Sequence, residues 1–368
     1  REEDQHGGGG VLLRPPWVRA SAARLSPQRS RTSKSPPPCS ADTHYKCRYS
    51  VLAAATGANE ISVIHPEGHS VPATSYGKAV IAKHGDATGS MIQMSGPTQI
   101  EAADLNNDGK MDFVVMSRNN GFISWFENEG SGTWSIQQLL GEVTNAASFA
   151  LADLDRNNYQ DVIVAVGSLG ETAGDTVKLI EQNWGSQYEM KDLFPDKIFN
   201  PSFVAAMDIN NDNYADVISI AEDCPDATYD SANALTARGA CHAGLQYNLN
   251  YALPTTEPVS FHEKRFIASQ YLAPAMVALA DFDQDGKNDI VLAAADRLVW
   301  HRNHGPPEGS HGLQIDFSVQ QTILGEGVSV ARAADIDGDG KPDLLCISLQ
   351  LSQVFWLRNE VNFVTGTG

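Results

Sequence analysis

The nine residues Asp335–Asp343 read DIDGDGKPD, and this acidic pattern occurs four more times in the chain. The earlier copies read DLNNDGKMD at 104–112, DLDRNNYQD at 153–161, DINNDNYAD at 208–216 and DFDQDGKND at 281–289. Asp or Asn occupies positions 1, 3, 5 and 9 of every copy, and Gly or Asn occupies position 6. Because Gly and Asn both tolerate positive φ, position 6 predicts a sharp turn of the backbone.

The density of acidic side chains in these five loops predicts a bound cation. Carboxylates so close together repel one another unless a hard cation neutralises them, and Ca²⁺ accepts about six to eight oxygen ligands at flexible geometry. We predict about five structural Ca²⁺ ions, each held by the side chains at positions 1, 3, 5 and 9 and by the backbone carbonyl of position 7. The predicted ligands are Asp104, Asn106, Asp108, Lys110, Asp112, Asp153, Asp155, Asn157, Tyr159, Asp161, Asp208, Asn210, Asp212, Tyr214, Asp216, Asp281, Asp283, Asp285, Lys287, Asp289, Asp335, Asp337, Asp339, Lys341 and Asp343.

The flanks of the loops predict strands rather than helices. A helix–loop–helix calcium site needs Glu at position 12 of the loop. The residues at that position here are not acidic: Val115, Val164, Ser219, Leu292 and Cys346. A β-rich apolar run, such as Phe113–Met116, follows position 9 of each copy. Each loop is therefore predicted to be a hairpin connection between two strands.

The spacing of the loops predicts the architecture. The copies begin at residues 104, 153, 208, 281 and 335, so they are 49, 55, 73 and 54 residues apart. A period near fifty residues with several short strands per unit is typical of a propeller blade. We predict an all-β propeller of about six to seven four-stranded blades, with calcium-binding hairpin loops. The longest spacing, 73 residues between the third and the fourth copies, is due to an insertion that covers about residues 221–244.

A second segment recurs once per unit and supports the same repeat boundaries. It reads FISWFENEG at 122–130, LVWHRNHG at 298–305 and VFWLRN at 354–359. Its aromatic residues recur at one position of the repeat, which favours packing between blades over stacking on sugars. These residues are Trp125, Tyr247, Trp300 and Trp356. Three histidines near the second copy, His301, His304 and His311, are explained by the repeat rather than by a transition-metal site.

The two ends of the chain differ from the repeats. Residues 1–40 form a basic tail rich in Pro, Ser and Arg, and we predict a disordered tail or linker there, with an organelle transit peptide as the alternative. Residues 41–368 form the predicted propeller, in which 51–54 followed by 61–68 match the second half of one further unit. The loop of that unit, 42–50, has Lys46 at a ligand position, so no metal is expected there. A first residue that is not Met and a short last unit favour a fragment or a processed chain.

The acidic loops, the Ala-Ala or Ala-Leu-Ala segments before them and the strands after them resemble the FG-GAP/VCBS repeat family, which includes the integrin α-subunit head. The resemblance covers roughly residues 42–368. It implies a calcium-binding propeller, commonly of seven blades. Loops two and three depart from the family pattern because they have Asn at position 6, and loop two also has Asn157 at position 5.

Charge and cysteine content narrow the class of partner and the compartment. The net charge is −19, and the chain after residue 48 has 41 acidic residues, 17 of them Asp at predicted ligand positions. This acidity argues against nucleic-acid binding, and no apolar run is long enough to span a membrane. Cys224 and Cys241 lie in the insertion and can form a disulfide, Cys39 and Cys47 are a second candidate pair, and Cys346 is expected to be buried.

These features predict a non-enzymatic binding or adhesion module that engages a protein or glycan ligand. Extracellular or cell-surface calcium suits such loops, and an organelle lumen is the alternative. The sequence has no distinct nucleophile with a base, phosphate-binding loop or zinc motif. A polysaccharide lyase or dehydratase on the same propeller, and a structural subunit of a large assembly, are the other readings. The insertion is the expected partner-specific element.

Overall fold

The computed structural model describes residues 51–55, 58–67, 75–83, 94–130, 133–134, 138–167, 176–183, 187–194, 198–224, 228–229, 235–237, 241–251, 259–310, 312–317 and 320–360. Within these ranges all regular secondary structure is β-strand. The predicted tail at 1–40, the loop at 42–50, Cys39, Cys47 and His311 lie outside the described residues. No helix in the described ranges has the length and apolar character needed to cross a bilayer.

The strands form antiparallel sheets in chain order. An N-terminal sheet comprises β1 (Val51–Ala55), β2 (Glu60–Glu67) and β3 (Ser75–Lys83). Blade one comprises β4 (Pro97–Ala103), β5 (Asp112–Ser117), β6 (Phe122–Phe126) and β9 (Gln138–Glu142), with a small hairpin of β7 (Asn128–Gly130) and β8 (Thr133–Trp134). Blade two comprises β10 (Ala146–Ala152), β11 (Asp161–Val166), β12 (Thr176–Asn183) and β13 (Gln187–Asp192).

The remaining blades repeat this arrangement. Blade three comprises β14 (Phe199–Met207), β15 (Asp216–Asp223), β18 (His242–Asn248) and β19 (Arg265–Ser269), with a hairpin of β16 (Thr228–Tyr229) and β17 (Leu235–Ala237). Blade four comprises β20 (Met276–Ala280), β21 (Asp289–Ala293), β22 (Leu298–His301) and β23 (Gln320–Leu324). Blade five comprises β24 (Val330–Ala334), β25 (Asp343–Ser348) and β26 (Gln353–Leu357).

The acidic loops are hairpin connections, as predicted. In every blade, position 9 of the loop is paired directly with the residue that precedes position 1, for example Ala103 with Asp112 and Ala334 with Asp343. Five blades have this loop between their first and second strands, fewer than the six to seven blades predicted. Four of the five are four-stranded, and the described part of blade five has three strands. All five loops lie at the same end of their blades, which we call the loop face.

The hydrophobic core lies in layers between successive blades. The second strand of a blade is an apolar run, and β5 and β11 are buried along their whole length because a neighbouring sheet covers each face. Trp125, Tyr247 and Trp300 are buried in these layers, which confirms their predicted packing role. Trp356 differs, because 43% of it is exposed on β26.

The inner strands β4, β10, β14, β20 and β24 surround a central channel with a cavity of about 320 Å³. Small side chains form part of its lining, and each inner strand contributes at least one alanine: Ala102, Ala150, Ala205, Ala278 and Ala333. Arg332 of blade five lies 3.6 Å from the carboxylate of Glu101 in blade one, across the channel. Burial raises the pKa of Glu101, against the effect of Arg332. This ion pair joins the first and the last of the five blades.

The insertion in blade three projects from the end opposite the loop face. It follows β15, includes the β16–β17 hairpin and is joined at its base by a disulfide between Cys224 and Cys241. This confirms the predicted pairing of these two cysteines. Cys346 is a free thiol that is fully buried, as expected for a small apolar core residue.

Candidate metal centres

The side chain at position 1 organises each acidic loop by accepting backbone hydrogen bonds. In blade one, Asp104 accepts from the amides of Asp108 and Gly109, at 3.1 and 2.8 Å. In blade five, the donors to Asp335 lie at positions 4 and 6, at 2.7 and 3.1 Å. The equivalent carboxylates in blades two to four are Asp153, Asp208 and Asp281. The backbone of each loop therefore curls around the first carboxylate.

Two positions of every loop have positive φ. Position 6 does, as predicted: φ is 85° at Gly109, 70° at Asn158, 69° at Asn213, 87° at Gly286 and 87° at Gly340. Position 4 does too, although four of its five residues are not Gly: φ is 57° at Asn107, 62° at Arg156, 61° at Asn211, 59° at Gln284 and 81° at Gly338. This second left-handed position had not been predicted, since Arg and Gln are not typical of positive φ.

The position-4 side chains connect each loop to the loop of the next blade. Three of them donate a hydrogen bond to the position-6 carbonyl: Asn107 to Asn158 at 2.6 Å, Asn211 to Gly286 at 2.9 Å and Gln284 to Gly340 at 3.3 Å. Arg156 instead stacks over the ring of Tyr214, with 4.9 Å between its guanidinium carbon and the ring centroid. The five loops are thus joined in series across the loop face.

The aspartate at position 9 is buried and accepts a backbone hydrogen bond through each of its two oxygens, so we call it the bracket aspartate. Asp112 accepts the amide of Leu105 at 3.2 Å through one oxygen and the amide of Asn128 at 2.8 Å through the other. The bracket aspartates of the other blades make the same two contacts and have no exposed surface: Asp161, Asp216, Asp289 and Asp343. Burial raises the pKa of Asp112 to about 6 and of Asp161 to about 7. These side chains join two strands of a blade, and metal ligation by them stays a prediction.

The carboxylates of three loops converge closely. Oxygen atoms of one triad lie within 4.8 Å of one another in each of blades two, four and five. The triads are Asp153, Asp155 and Asp161; Asp281, Asp283 and Asp285; and Asp335, Asp337 and Asp339. Loops one and three have Asn106 and Asn210 at position 3, and the amide oxygen of each accepts the position-5 amide at 3.1 Å. All of these donors are hard oxygens, which suit Ca²⁺ rather than a soft transition metal.

Position 7 contributes positive charge in three loops. The ammonium groups of Lys110 and Lys287 lie 2.6 and 2.9 Å from the position-5 carboxylates Asp108 and Asp285. Lys341 lies 3.8 Å from the equivalent carboxylate in blade five. Burial opposes ionisation of Asp108, but hydrogen bonds from Lys110 outweigh it and lower the pKa of Asp108. These side chains were not part of the sequence prediction, which concerned only the backbone carbonyl of position 7.

A further set of residues lies at the end of the third strands, and those of blades one, four and five contact their acidic loops. Each is opposite the bracket aspartate of its blade, as the strand register shows. The set comprises Glu127, Glu181, Leu249, Arg302 and Arg358. Its charge changes along the chain from acidic in blades one and two to basic in blades four and five. Sequence reasoning had not assigned these residues, although the repeated aromatic segment places three of them directly before an Asn.

His301 is not part of a metal site in the described residues. It is fully buried, and its Nε2 atom lies 2.7 Å from the hydroxyl of Tyr271. Burial lowers its pKa to about 4, and the nearby charge of Arg297 acts in the same direction. A neutral histidine in a hydrophobic layer agrees with the structural role predicted for it.

The family model of the FG-GAP-like repeat matches residues 104–164 and 281–346, which contain loops one, two, four and five. Among solved structures, an Agrocybe aegerita lectin studied for recognition of non-reducing terminal N-acetylglucosamine has a TM-score of 0.47 at 15% identity, with 86% of this chain and 81% of the lectin covered. The biofilm matrix protein Bap1 of V. cholerae has a TM-score of 0.39 at 14% identity, with 88% of this chain and 43% of Bap1 covered.

The fold and the loops define a class of protein, a β-propeller whose blades carry acidic hairpin loops. The chain contains FG-GAP-like repeats in the two matched regions, 104–164 and 281–346, and there the match confirms the resemblance inferred from the sequence. Loop three lies outside the matched regions but has the same hydrogen bonds and the same pair of left-handed residues.

Proposed function

We propose that this protein is a calcium-stabilised propeller that acts as a non-enzymatic binding or adhesion module for protein or glycan ligands. The observation that carries the calcium part is the convergence of three carboxylates within 4.8 Å in each of three loops. Such groups repel one another at neutral pH. In loops four and five a Lys and an Arg offset part of the negative charge, and a divalent cation would neutralise what remains. FG-GAP-like repeats often bind calcium, and the donors in these loops are all oxygen atoms.

Three polar side chains in the described residues favour a binding role over catalysis, because each is already paired or buried. In the central channel, Glu101 is paired with Arg332, and both polar atoms of the Gln99 amide bond to the backbone of Phe149. His301 is buried against Tyr271. A lyase or dehydratase needs an accessible acid or base beside its substrate. A structural subunit of a large assembly remains the second alternative, because a rigid propeller also suits that role.

We place the ligand-binding element at the insertion of blade three, on the face opposite the acidic loops. The disulfide between Cys224 and Cys241 closes this insertion at its base. A covalently closed loop on a rigid scaffold loses less conformational entropy on binding. The disulfide also supports an extracellular or surface location, where calcium is abundant enough for loops of this type, with an organelle lumen as the alternative.

Chelation tests the calcium part. At free Ca²⁺ about ten times Kd, each ion adds about 1.4 kcal/mol of stability by mass action. We expect EDTA to lower the melting temperature sharply, and the double variant Asp337→Ala/Asp339→Ala to bind one ion fewer by calorimetric titration. An identical melting curve with calcium and with EDTA would exclude calcium as a structural ion.

A glycan array together with a polysaccharide-degradation assay tests the binding part. The wild-type chain is compared with a variant in which residues 225–240 are replaced by a short Gly-Ser linker. We expect saturable binding of a glycan or of a protein ligand, no turnover, and loss of binding in the linker variant with an unchanged melting temperature. Turnover of a polysaccharide by the wild type would reject the non-enzymatic function, whereas binding that survives the replacement would reject only the assigned face.

A further inference from the structure

The five residues at the end of the third strands occupy one structural position and therefore can be compared directly. In each blade, the next residue along the chain donates its backbone amide to the bracket aspartate, at 2.7 to 2.9 Å. In blades one, four and five, the residue at the end of the third strand faces the acidic loop, and its side chain contacts position 3 of that loop. The side chains at this position are Glu127, Glu181, Leu249, Arg302 and Arg358.

In blades four and five, this side chain is a guanidinium that bridges two carboxylates of the loop. Arg302 Nε lies 2.6 Å from Asp283 Oδ2, and Arg302 Nη2 lies 3.4 Å from Asp285 Oδ2. The side chain of Asp283 is only 2% exposed, so this contact is shielded from water. Blade five repeats the bridge, with Arg358 Nε 2.7 Å from Asp337 and Nη2 3.6 Å from Asp339. Positions 3 and 5, two of the predicted calcium ligands, thus already have a cation.

In blades one and two, the same position is acidic. Glu127 accepts a hydrogen bond from the Asn106 side chain at 2.8 Å, so its carboxylate lies beside position 3 of loop one. Glu181 of blade two is paired with Lys191 at 2.7 Å. Blade three has the apolar Leu249, which is buried and brings no charge. Position 5 is paired with a lysine in loop one as well as in loop four, through Lys110 and Lys287, so it is the charge at the end of the third strand that separates loops four and five from the first three loops.

We propose that Arg302 and Arg358 are built-in counter-ions that weaken calcium binding in loops four and five, so that calcium fills the first three loops preferentially. This inference rests on the proposed calcium binding. A Ca²⁺ ion between positions 3 and 5 must displace the guanidinium or lie within a few ångströms of it, and the two positive charges then repel each other. The arginines also hold these two loops closed without an ion, because each guanidinium neutralises the carboxylates that it bridges.

The two kinds of loop give the propeller sites of different affinity. Loops four and five keep their shape when calcium is scarce, whereas the first three loops depend on the ion more strongly. If the arginine side chains instead moved aside on binding, all five loops would bind alike. The two cases differ in the number of affinity classes, which a direct titration measures.

The test is calcium titration of the wild type and of the double variant Arg302→Gln/Arg358→Gln, by calorimetry and by Tb³⁺ luminescence. Gln is neutral and similar in length to the arginine stem, so the loops lose charge with little change of packing. We expect a wild-type isotherm with two classes of site that differ about tenfold or more in Kd, and one class in the double variant. The matched control is Glu127→Arg, which should move one site of the tight class into the weak class.

Melting in EDTA provides a readout that does not depend on the ion. The double variant is expected to melt at a lower temperature than the wild type in EDTA, whereas Glu127→Gln should melt at the same temperature or higher. Calcium uptake with the same single class of sites in the wild type and the double variant would overturn this inference alone. No calcium uptake by any of the proteins would overturn the calcium proposal and this inference together.

Discussion

Blades one and four are built on the same repeat. They share the residues that pack the blade together and differ in the charge next to the acidic loop. Both have a buried Trp on the third strand, Trp125 and Trp300, and both have a bracket aspartate with no exposed surface. Both also close their hairpins through the same pair of backbone hydrogen bonds to that aspartate. The shared residues are those that join strands and blades.

The differences lie at the two positions that follow the Trp. Phe126 of blade one is stacked on Phe113, with 4.8 Å between ring centroids, whereas His301 occupies this position in blade four. The next residue is Glu127 in blade one and Arg302 in blade four, and both lie against their acidic loops. The repeat thus keeps its framework constant and varies the charge next to it, which allows one fold to hold sites with different properties.

The largest expected effect tests the shared framework. Trp125→Ala and Trp300→Ala each remove a buried indole from a layer between blades, so each should lower the free energy of unfolding by about 3–5 kcal/mol. Urea denaturation in EDTA measures both, without any contribution from bound ions. A loss below about 1 kcal/mol in one of the two variants would show that the blades do not share this packing role.

The second effect concerns the pair Phe126 and His301. The pKa of His301 is lowered by burial from 6.5 to about 4 in the folded protein. The unfolded chain therefore binds a proton first as the pH falls, so stability is fully present above about pH 6.5 and is lost between about pH 6.5 and 4. The loss amounts to about 2–3 kcal/mol.

His301→Phe should remove this part of the pH dependence, since Phe does not titrate. The measurement is the urea midpoint at pH 7 and at pH 4.5 for the wild type and the variant, because other titrating groups then cancel in the difference. Phe126→His is the reverse exchange and should add a loss of similar size in blade one. The same change of urea midpoint between the two pH values in the wild type and in His301→Phe would contradict a buried neutral histidine.

The third effect separates the two loops by their response to calcium. Asp104→Ala/Asp108→Ala in loop one should remove about 1.4 kcal/mol of the stability that calcium adds at ten times Kd. Asp281→Ala/Asp285→Ala in loop four should remove less, because the proposed counter-ion Arg302 lies beside that loop. The difference in melting temperature between calcium and EDTA isolates this contribution from the lost hydrogen bonds. The same reduction in both variants would mean that the two loops are equivalent.

The smallest effect concerns the links between neighbouring loops. Asn107 donates to the carbonyl of Asn158 at 2.6 Å, whereas Gln284 donates to that of Gly340 at 3.3 Å. We expect Asn107→Ala to lower the free energy of unfolding by about 0.5–1 kcal/mol, and Gln284→Ala to lower it by less, because both bonds are exposed but that of Gln284 is longer. Thermal melting of the two single variants against the wild type measures the difference. A greater loss of stability in Gln284→Ala than in Asn107→Ala would contradict this ranking of the two hydrogen bonds.

Several features of the site were readable in advance because they are local. Asp, Asn and Gly at fixed offsets specify a tight hairpin, so the turn at position 6 and its positive φ followed directly from residues such as Gly109 and Gly286. The apolar runs after position 9 specified buried second strands, and the aromatic segment specified the phase of the third strands. The disulfide of the insertion was also predictable, since Cys224 and Cys241 are only 17 residues apart.

Other features depend on residues that are distant in the chain. Arg302 reaches Asp283 only because β21 and β22 pair in one register, and a shift by one residue would turn its side chain to the other face. Asn107 meets Asn158 only because two blades lie side by side. The ion pair of Glu101 with Arg332 depends in the same way on the arrangement of the blades, since it joins residues 231 positions apart in the first and the last of the five blades.

The amino-acid order alone thus determined the hairpins, the repeat and the oxygen-rich loops, because turn preference and strand periodicity act over a few residues. The tertiary structure decided which aspartates are buried brackets, which loops have an internal cation and how the loops are joined. Burial and charge compensation depend on strand register and on the packing of whole blades, and neither is encoded within a single nine-residue segment.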